Sequence, residues 1–282
     1  MQTMTQLDPL RRAVDALKAD GAVALVPTMG ALHAGHLALV REAAKRAAHV
    51  VVSIFVNPRQ FGANEDLATY PRQLETDSAL LAAEGVSLLW APLAAVMYPP
   101  GYATNVSVSG VSEGLCGQAR PGHFDGVATV VCKMFNQVAP DLALFGEKDW
   151  QQLAVIRRMV RDLDLILPRP EAIFGVPTVR EADGLARSSR NAFLTPDQRQ
   201  AAASLPRAMQ SAIAAIRAGG RVPEALAVLQ GELKLAGFSA VDYAELRNAD
   251  TLAPLAEPGT MPARLLVAAW IGTTRLIDNM PL

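Results

Sequence analysis

The feature that most restricts how this 282-residue chain can fold is a repeated alternation between short, β-branched apolar runs and longer stretches of helical period. "AVALVP" leads into a helical stretch at residues 36–48, "VVVSIFV" into one at 72–84, "VSLLW" is followed by one at 125–138, and "DLALF" by one at 149–161. Strands separated by helices pair in parallel, because each crossover must pass over a face of the sheet, and both faces end up covered. The expected class is therefore α/β, a doubly wound, Rossmann-like parallel sheet. "AIFGVPTV" supplies a further strand after Pro168 and Pro170. Beyond it the texture changes to two alanine-rich helical stretches, 196–218 and 223–236, and two strand-like runs, "VDYAELRNAD" and "ARLLVAAWIG". This places a Rossmann-like domain at residues 1–176 and a second, smaller α+β C-terminal domain at 177–282.

Composition narrows the partners. The net charge is −1 and no dense Lys/Arg block occurs, so the electrostatic footprint of a nucleic-acid or membrane-surface binder is missing and a small molecule is expected instead. Cys116 and Cys132 are the only cysteines, too few for a disulfide framework and without CxxC spacing, which suits packing roles in a reducing compartment. The first residues, "MQTMTQLDPLRRAVDALKAD", carry charges throughout, and the longest apolar runs, such as "LLVAAWI", fall far short of the about 20 residues of a membrane span. A cytoplasmic location is expected.

The dinucleotide fingerprint GxGxxG, the P-loop GxxxxGK[ST] and HExxH are all absent. Gly110-Val111-Ser112-Glu113-Gly114 matches the GxSxG of a nucleophile elbow and follows the strand-like "TNVSVS". Its context argues against a hydrolase: "LCGQARPG" is a poor helix opening, and no acidic residue lies between Glu113 and His123, the one downstream histidine.

"VPTMGALHAGH" is different. Of only four histidines, His33 and His36 stand three apart, among Gly30 and Gly35, where a strand ends and a helix is expected to start near His36. Glycine lets a ligand approach backbone closely, and the free N–H groups of a helix N-terminus attract anions. Imidazoles there can donate to phosphate oxygens; the alternative is that the two histidines merely cap or pack the turn.

"PTMGALHAGH" resembles the HxGH motif of the nucleotidyltransferase superfamily, which includes class I aminoacyl-tRNA synthetases and adenylyl-transferring enzymes. "SIFVNPRQFG", "YPR", "RPGHFDGVATVV", "FGEKDWQQLAVIRRMV", "GVPTVREADGLARSSRN" and "AAWIGTTRLIDN", in that order, resemble the pantoate–β-alanine ligase family over nearly the whole chain. That resemblance implies an ATP-dependent condensation of pantoate with β-alanine through a pantoyl adenylate, releasing pyrophosphate and AMP. It also implies Mg2+ with the nucleotide, a homodimer, and no nucleic-acid or membrane partner. An adenylyltransferase that keeps the nucleotide on its product is the alternative within the superfamily, and an RNA-binding relic of a synthetase is opposed by the charge balance.

Residue by residue, the resemblance makes His36, His33, Lys148 and Arg190 the catalytic candidates. Met29, Gly30, Gly35, Gly146, Glu147, Asp149, Val179, Arg187, Ser188 and Ser189 complete the expected ATP site, with "ARSSRN" as the counterpart of the mobile KMSKS loop and residues 177–282 as a lid. Gln60 and Gln152 match pantoate-binding glutamines, and Asp77 is a candidate Mg2+ ligand. Asn57, Tyr70, Arg120 and His123 lie in matching segments without an assigned role. Two positions depart from the family pattern: Arg59 stands where methionine is usual, and Arg187 where an apolar residue precedes the serines.

Overall fold

The structure, a computed structural model, describes residues 1–62, 65 and 67–282. Six strands, β1 (Gln2–Met4), β2 (Val23–Thr28), β3 (His49–Ile54), β4 (Leu88–Trp90), β5 (Leu142–Gly146) and β6 (Ile173–Val176), form one sheet in the order β1-β4-β3-β2-β5-β6. Every pairing in it is parallel. The helices that connect or flank them are α1 (Leu7–Asp20), α2 (Ala34–Ala44), α3 (Leu74–Ala83), the short α4 (Ala94–Met97) and α5 (Leu115–Ala119), α6 (His123–Val138) and α7 (Trp150–Asp162).

Side chains on a strand alternate between faces, and β2 shows the consequence. Val23 and Leu25 enter one core with Leu88, Trp90, Phe135, Phe145 and Ile156, while Ala24 and Val26 enter the other with Leu39, Val40, Leu81 and Leu144. The first core lies under α1, α6 and α7, and the second under α2 and α3. From β2 the chain proceeds outward through β3 and β4, then returns to place β5 on the other side of β2. The strand order thus reverses between β2 and β5, and in open α/β sheets the crevice outside the carboxyl ends of such a pair is where ligands bind.

The remainder comprises α8 (Pro196–Ala202), α9 (Ser204–Arg217), α10 (Val222–Leu235) and an antiparallel sheet β7-β8-β9 built from Ala240–Asn248, Ala263–Ile271 and Thr274–Pro281. Its core gathers residues from Leu185 to Met280, separate from the two cores of the parallel sheet.

Several elements differ from the sequence expectation. The helical stretch 196–218 is broken at Ala203, because Pro206 has no N–H to give and its ring would meet the carbonyl of Ala202 in a continuous helix. Three-residue β1, paired with β4, is too short to carry a period. The C-terminal sheet has three strands rather than two: β9 turns back from β8 through Gly272, at φ +56, and Thr273. "TNVSVS" is not a strand, and α5 does open after Gly114; the missing strand, rather than a missing helix, is what denies Ser112 an elbow.

Candidate active site

At the end of β2, Thr28 Oγ1 donates to Ser53 O at 2.8 Å and accepts from Gly30 N at 3.2 Å, turning the chain sharply out of the sheet. Gly30 has φ +84 and Ala31 φ +51, a left-handed pair that needs outside support where the residue is not glycine. Asp77 of α3 provides it. Its two carboxylate oxygens each accept an N–H at 2.9 Å, from Ala31 and Leu32, and the residue is 0% exposed.

The turn delivers His33 to the N-cap of α2, which begins at Ala34, two residues earlier than expected. His33 Nδ1 accepts from Gly35 N at 3.1 Å, and His36 Nδ1 accepts from His33 N at 3.3 Å. Gly35 is required for this: a Cβ there would lie 2.9 Å from the His33 ring. The two rings stand 4.1 Å apart. Since each Nδ1 is an acceptor, a neutral ring carries its proton on Nε2, and both Nε2–H groups remain as donors in the crevice that the two residues line.

Neutrality is what the surroundings impose. Burial first, then Lys148 and Arg187, lower His33 from 6.5 to about 4; burial and the neighbouring His33 lower His36 to about 3. His123 is likewise lowered to about 4 by burial and by Arg120. Each group binds a proton more readily in the unfolded chain, so its contribution to stability is complete above pH 6.5 and is lost as pH falls toward 4. The expected result is a thermal midpoint that declines steadily below pH 6.5. A midpoint flat from pH 6.5 down to about 5 would contradict the buried, neutral pair.

Opposite the histidines, β5 ends at Gly146, and a single turn, Glu147–Asp149, precedes α7. Apart from its chain neighbours, no atom of the described residues lies within 4 Å of where a Gly146 Cβ would stand, leaving that strand end open to a ligand. The crevice between the two strand ends has a volume of about 220 Å3. Met29, His33, Gly35, His36, Gln60, Gly146, Lys148, Asp149, Gln152, Val179, Arg187, Ser188, Ser189 and Arg190 all line it. It adjoins a wider cleft of about 1130 Å3 facing the C-terminal sheet, and the two share Lys148, Asp149, Arg120, His123, Ser188 and Arg190.

Other expected residues sit behind the walls. Gly30 shapes the turn from behind, and Glu147 faces Arg264 at 3.6 Å. Asp77, expected beside a metal ion, is occupied in holding the turn and does not line the crevice. Among the described residues no group of three or more His, Cys, Asp or Glu gathers as a metal cage.

Residues without a sequence-assigned role prove to position others. Asn57, 0% exposed, donates from Nδ2 to Gln60 Oε1 at 3.1 Å and to Gly126 O at 3.0 Å, and its Oδ1 accepts from Tyr98 Oη at 2.8 Å. With its oxygen so engaged, the Gln60 amide directs Nε2 to Met29 Sδ at 2.9 Å, at the crevice wall. Arg120 donates from Nε to Glu65 at 2.8 Å and approaches His123 Nε2 at 3.0 Å, while His123 Nδ1 lies 2.8 Å from Gln60 O. The apolar floor, Val127, Val130, Val131 and Met134, comes from α6, for which the sequence indicated a helical stretch at 125–138 but not which side of the sheet it would serve.

The two extra arginines part company. Arg59 points away, donating to Thr104 O at 3.1 Å and Asn105 Oδ1 at 2.9 Å beside the rings of Tyr98 and Tyr102. Arg187 lines the crevice, paired with Glu181 at 2.8 Å, and its buried Nε has no hydrogen-bond partner among the described residues.

The sequence profile of the family described as Pantoate-beta-alanine ligase matches residues 2–281. The chain belongs to that family. It is 67% identical over 281 residues to the pantothenate synthetase of Novosphingobium aromaticivorans, an alignment covering 99% of this chain and 98% of the relative. The fold of this ligase family recurs in the crystal structure of pantothenate synthetase from Thermus thermophilus, with a TM-score of 0.92, 48% identity and 99% coverage of both chains. It recurs also in the Francisella tularensis pantoate-beta-alanine ligase complexed with beta-gamma ATP and beta-alanine, at a TM-score of 0.83 and 31% identity, covering 100% of this chain and 97% of that one. The chain is accordingly an enzyme, a pantoate–β-alanine ligase. No helix among its described residues is long and apolar enough to cross a membrane.

Proposed function

We propose that this ligase works in two steps at the β2–β5 crevice: pantoate's carboxylate attacks the α-phosphorus of ATP, releasing pyrophosphate and forming pantoyl adenylate, and the amine of β-alanine then displaces AMP. The observation that carries the reading is the convergence, at one strand-order reversal, of two imidazole Nε2–H donors with the Lys148 ammonium and Arg190. Negative charge grows on the phosphorus oxygens and leaving pyrophosphate in the first step, and preorganised donors in a partly water-excluded crevice stabilise it. Neutral imidazoles suit this task because they donate without needing to be charged first.

Gln60, oriented through Asn57, and Gln152 hold the hydroxyl and carboxylate oxygens of pantoate over the α6 floor. The residues from Arg187 to Arg190 close over the triphosphate, protecting an acyl adenylate from water until the amine arrives. Val179 flanks the adenine. Mg2+ accompanying the nucleotide would supply charge neutralisation to the phosphate oxygens and, as a cation that keeps much of its hydration, would need no protein cage. Residues 177–282 act as the lid over the 1–176 domain, and the working form is a cytoplasmic homodimer, readings that rest on the family likeness.

The test is exchange of labelled pyrophosphate into ATP. Robust exchange that depends on pantoate and needs no β-alanine is the expected result. Exchange without any carboxylic acid, or an adenylylated end product, would replace this reading with an adenylyltransferase.

A further inference from the structure

We infer that Asp278-Asn279 of β9 is a positioning unit for the reaction, setting where the Lys148 turn and the Arg187–Arg190 segment stand relative to each other. The inference rests on the proposed role of Lys148. The two residues are 2% and 3% exposed, at a place in the antiparallel sheet where polar side chains would be costly unless fully bonded. Asn279 Nδ2 donates to two successive carbonyls of the Lys148 turn, Glu147 O and Lys148 O, at 2.9 Å each. Both of its amide hydrogens are thus spent on that turn. Its Oδ1 accepts from Arg264, whose guanidinium lies 3.5 Å over the Trp150 ring and 3.6 Å from Glu147. The amide therefore cannot flip, and its donors stay aimed at the carbonyls.

Asp278 serves the other side. Its carboxylate accepts both Arg180 Nη1, at 2.6 Å, and Nη2, at 2.9 Å, the bidentate arrangement that fixes orientation as well as distance. Arg180 also donates to Gly184 O at 3.0 Å and bridges Ala186, while Arg187 N donates to Val179 O at 2.9 Å. These contacts form the base from which residues 187–190 reach the crevice. Two adjacent residues of one strand thus hold both the Lys148 turn and the base of the segment that carries Arg187 and Arg190. Misplacing a reacting group by about 1 Å can cost about a hundredfold in rate, so such an anchor acts on turnover more than on nucleotide affinity.

Asn279→Asp is nearly isosteric: it keeps an oxygen for Arg264 but sets a second oxygen against the two carbonyls. The experiment compares Asn279→Asp, Asn279→Ala, Lys148→Ala and the Asn279→Asp/Lys148→Ala double variant in pantoate-dependent exchange, each checked for folding by thermal melting. Expected are a loss of about a hundredfold in Asn279→Asp, chiefly in kcat, and a double variant no slower than Lys148→Ala alone, because an anchor has nothing to position once the ammonium is gone. A merely structural role would make the losses multiply. Multiplying losses, or a folded Asn279→Asp within about twofold of wild type beside an impaired Lys148→Ala, overturn the anchor alone. Undiminished exchange in Lys148→Ala overturns the role of Lys148 and the anchor with it.

Discussion

Replacing His36 by alanine is expected to lower pantoate-dependent pyrophosphate exchange by about a thousandfold while leaving the fold nearly intact. Deleting one preorganised donor to a developing oxyanion costs about 3–4 kcal/mol of transition-state stabilisation. The structural cost is smaller. His36 contributes one long hydrogen bond, 3.3 Å from His33 N, and loss of a capping interaction costs about 1 kcal/mol. The two effects are separable because the ring lines the crevice and belongs to neither core of the parallel sheet. His33→Ala should divide differently, since His33 is itself the N-cap of α2 and its loss frees Gly35 N. Exchange kinetics beside thermal melts decide the matter: a His36→Ala enzyme within about tenfold of wild type removes His36 from the transition state.

The central strands of the parallel sheet were legible because they are buried on both faces and therefore read as continuous apolar runs, as Val23–Val26 and Val50–Val52 do. β9 was not, since the buried positions of "TRLIDNMP" include Thr274, Asp278 and Asn279, so its residue types show neither a continuous apolar run nor an apolar/polar alternation. The same contrast runs through the site. The histidines lie in one contiguous motif whose spacing relative to the glycines encodes the turn. Asp77, Asn57 and Asn279 act at a distance, across 46, 69 and 132 positions in the chain, so their roles appear only when the fold brings their partners to them. Asp77 shows how chemistry without geometry misleads: a carboxylate near a nucleotide site reads as a metal ligand until both oxygens are found capping backbone N–H groups. Arg59 and Arg187 make the complementary point. They are equal in sequence as extra positive charges, yet only Arg187 lines the crevice and depresses His33.

Gly126→Ala should carry the second large effect, on stability and on pantoate at once. Gly126 lies inside α6, where helix propensity alone favours alanine by about 1 kcal/mol. Packing opposes this. An added Cβ would stand 2.3 Å from Arg59 O and 2.7 Å from Gln60 N, backbone atoms of the turn Pro58–Gln60 that cannot rotate away as a flexible side chain would. Forcing the helix and that turn apart costs up to about 3 kcal/mol or more, and outweighs the propensity gain. It would also stretch the bond from Asn57 Nδ2 to Gly126 O, now 3.0 Å, and so release the Gln60 amide from its orientation at the crevice wall. The expected variant melts several degrees lower and shows a KM for pantoate raised about tenfold, with the KM for ATP changed far less. A higher melting temperature would mean that propensity wins and that α6 does not press on the turn; a lowered one with unchanged pantoate kinetics would separate the packing from the placement of Gln60.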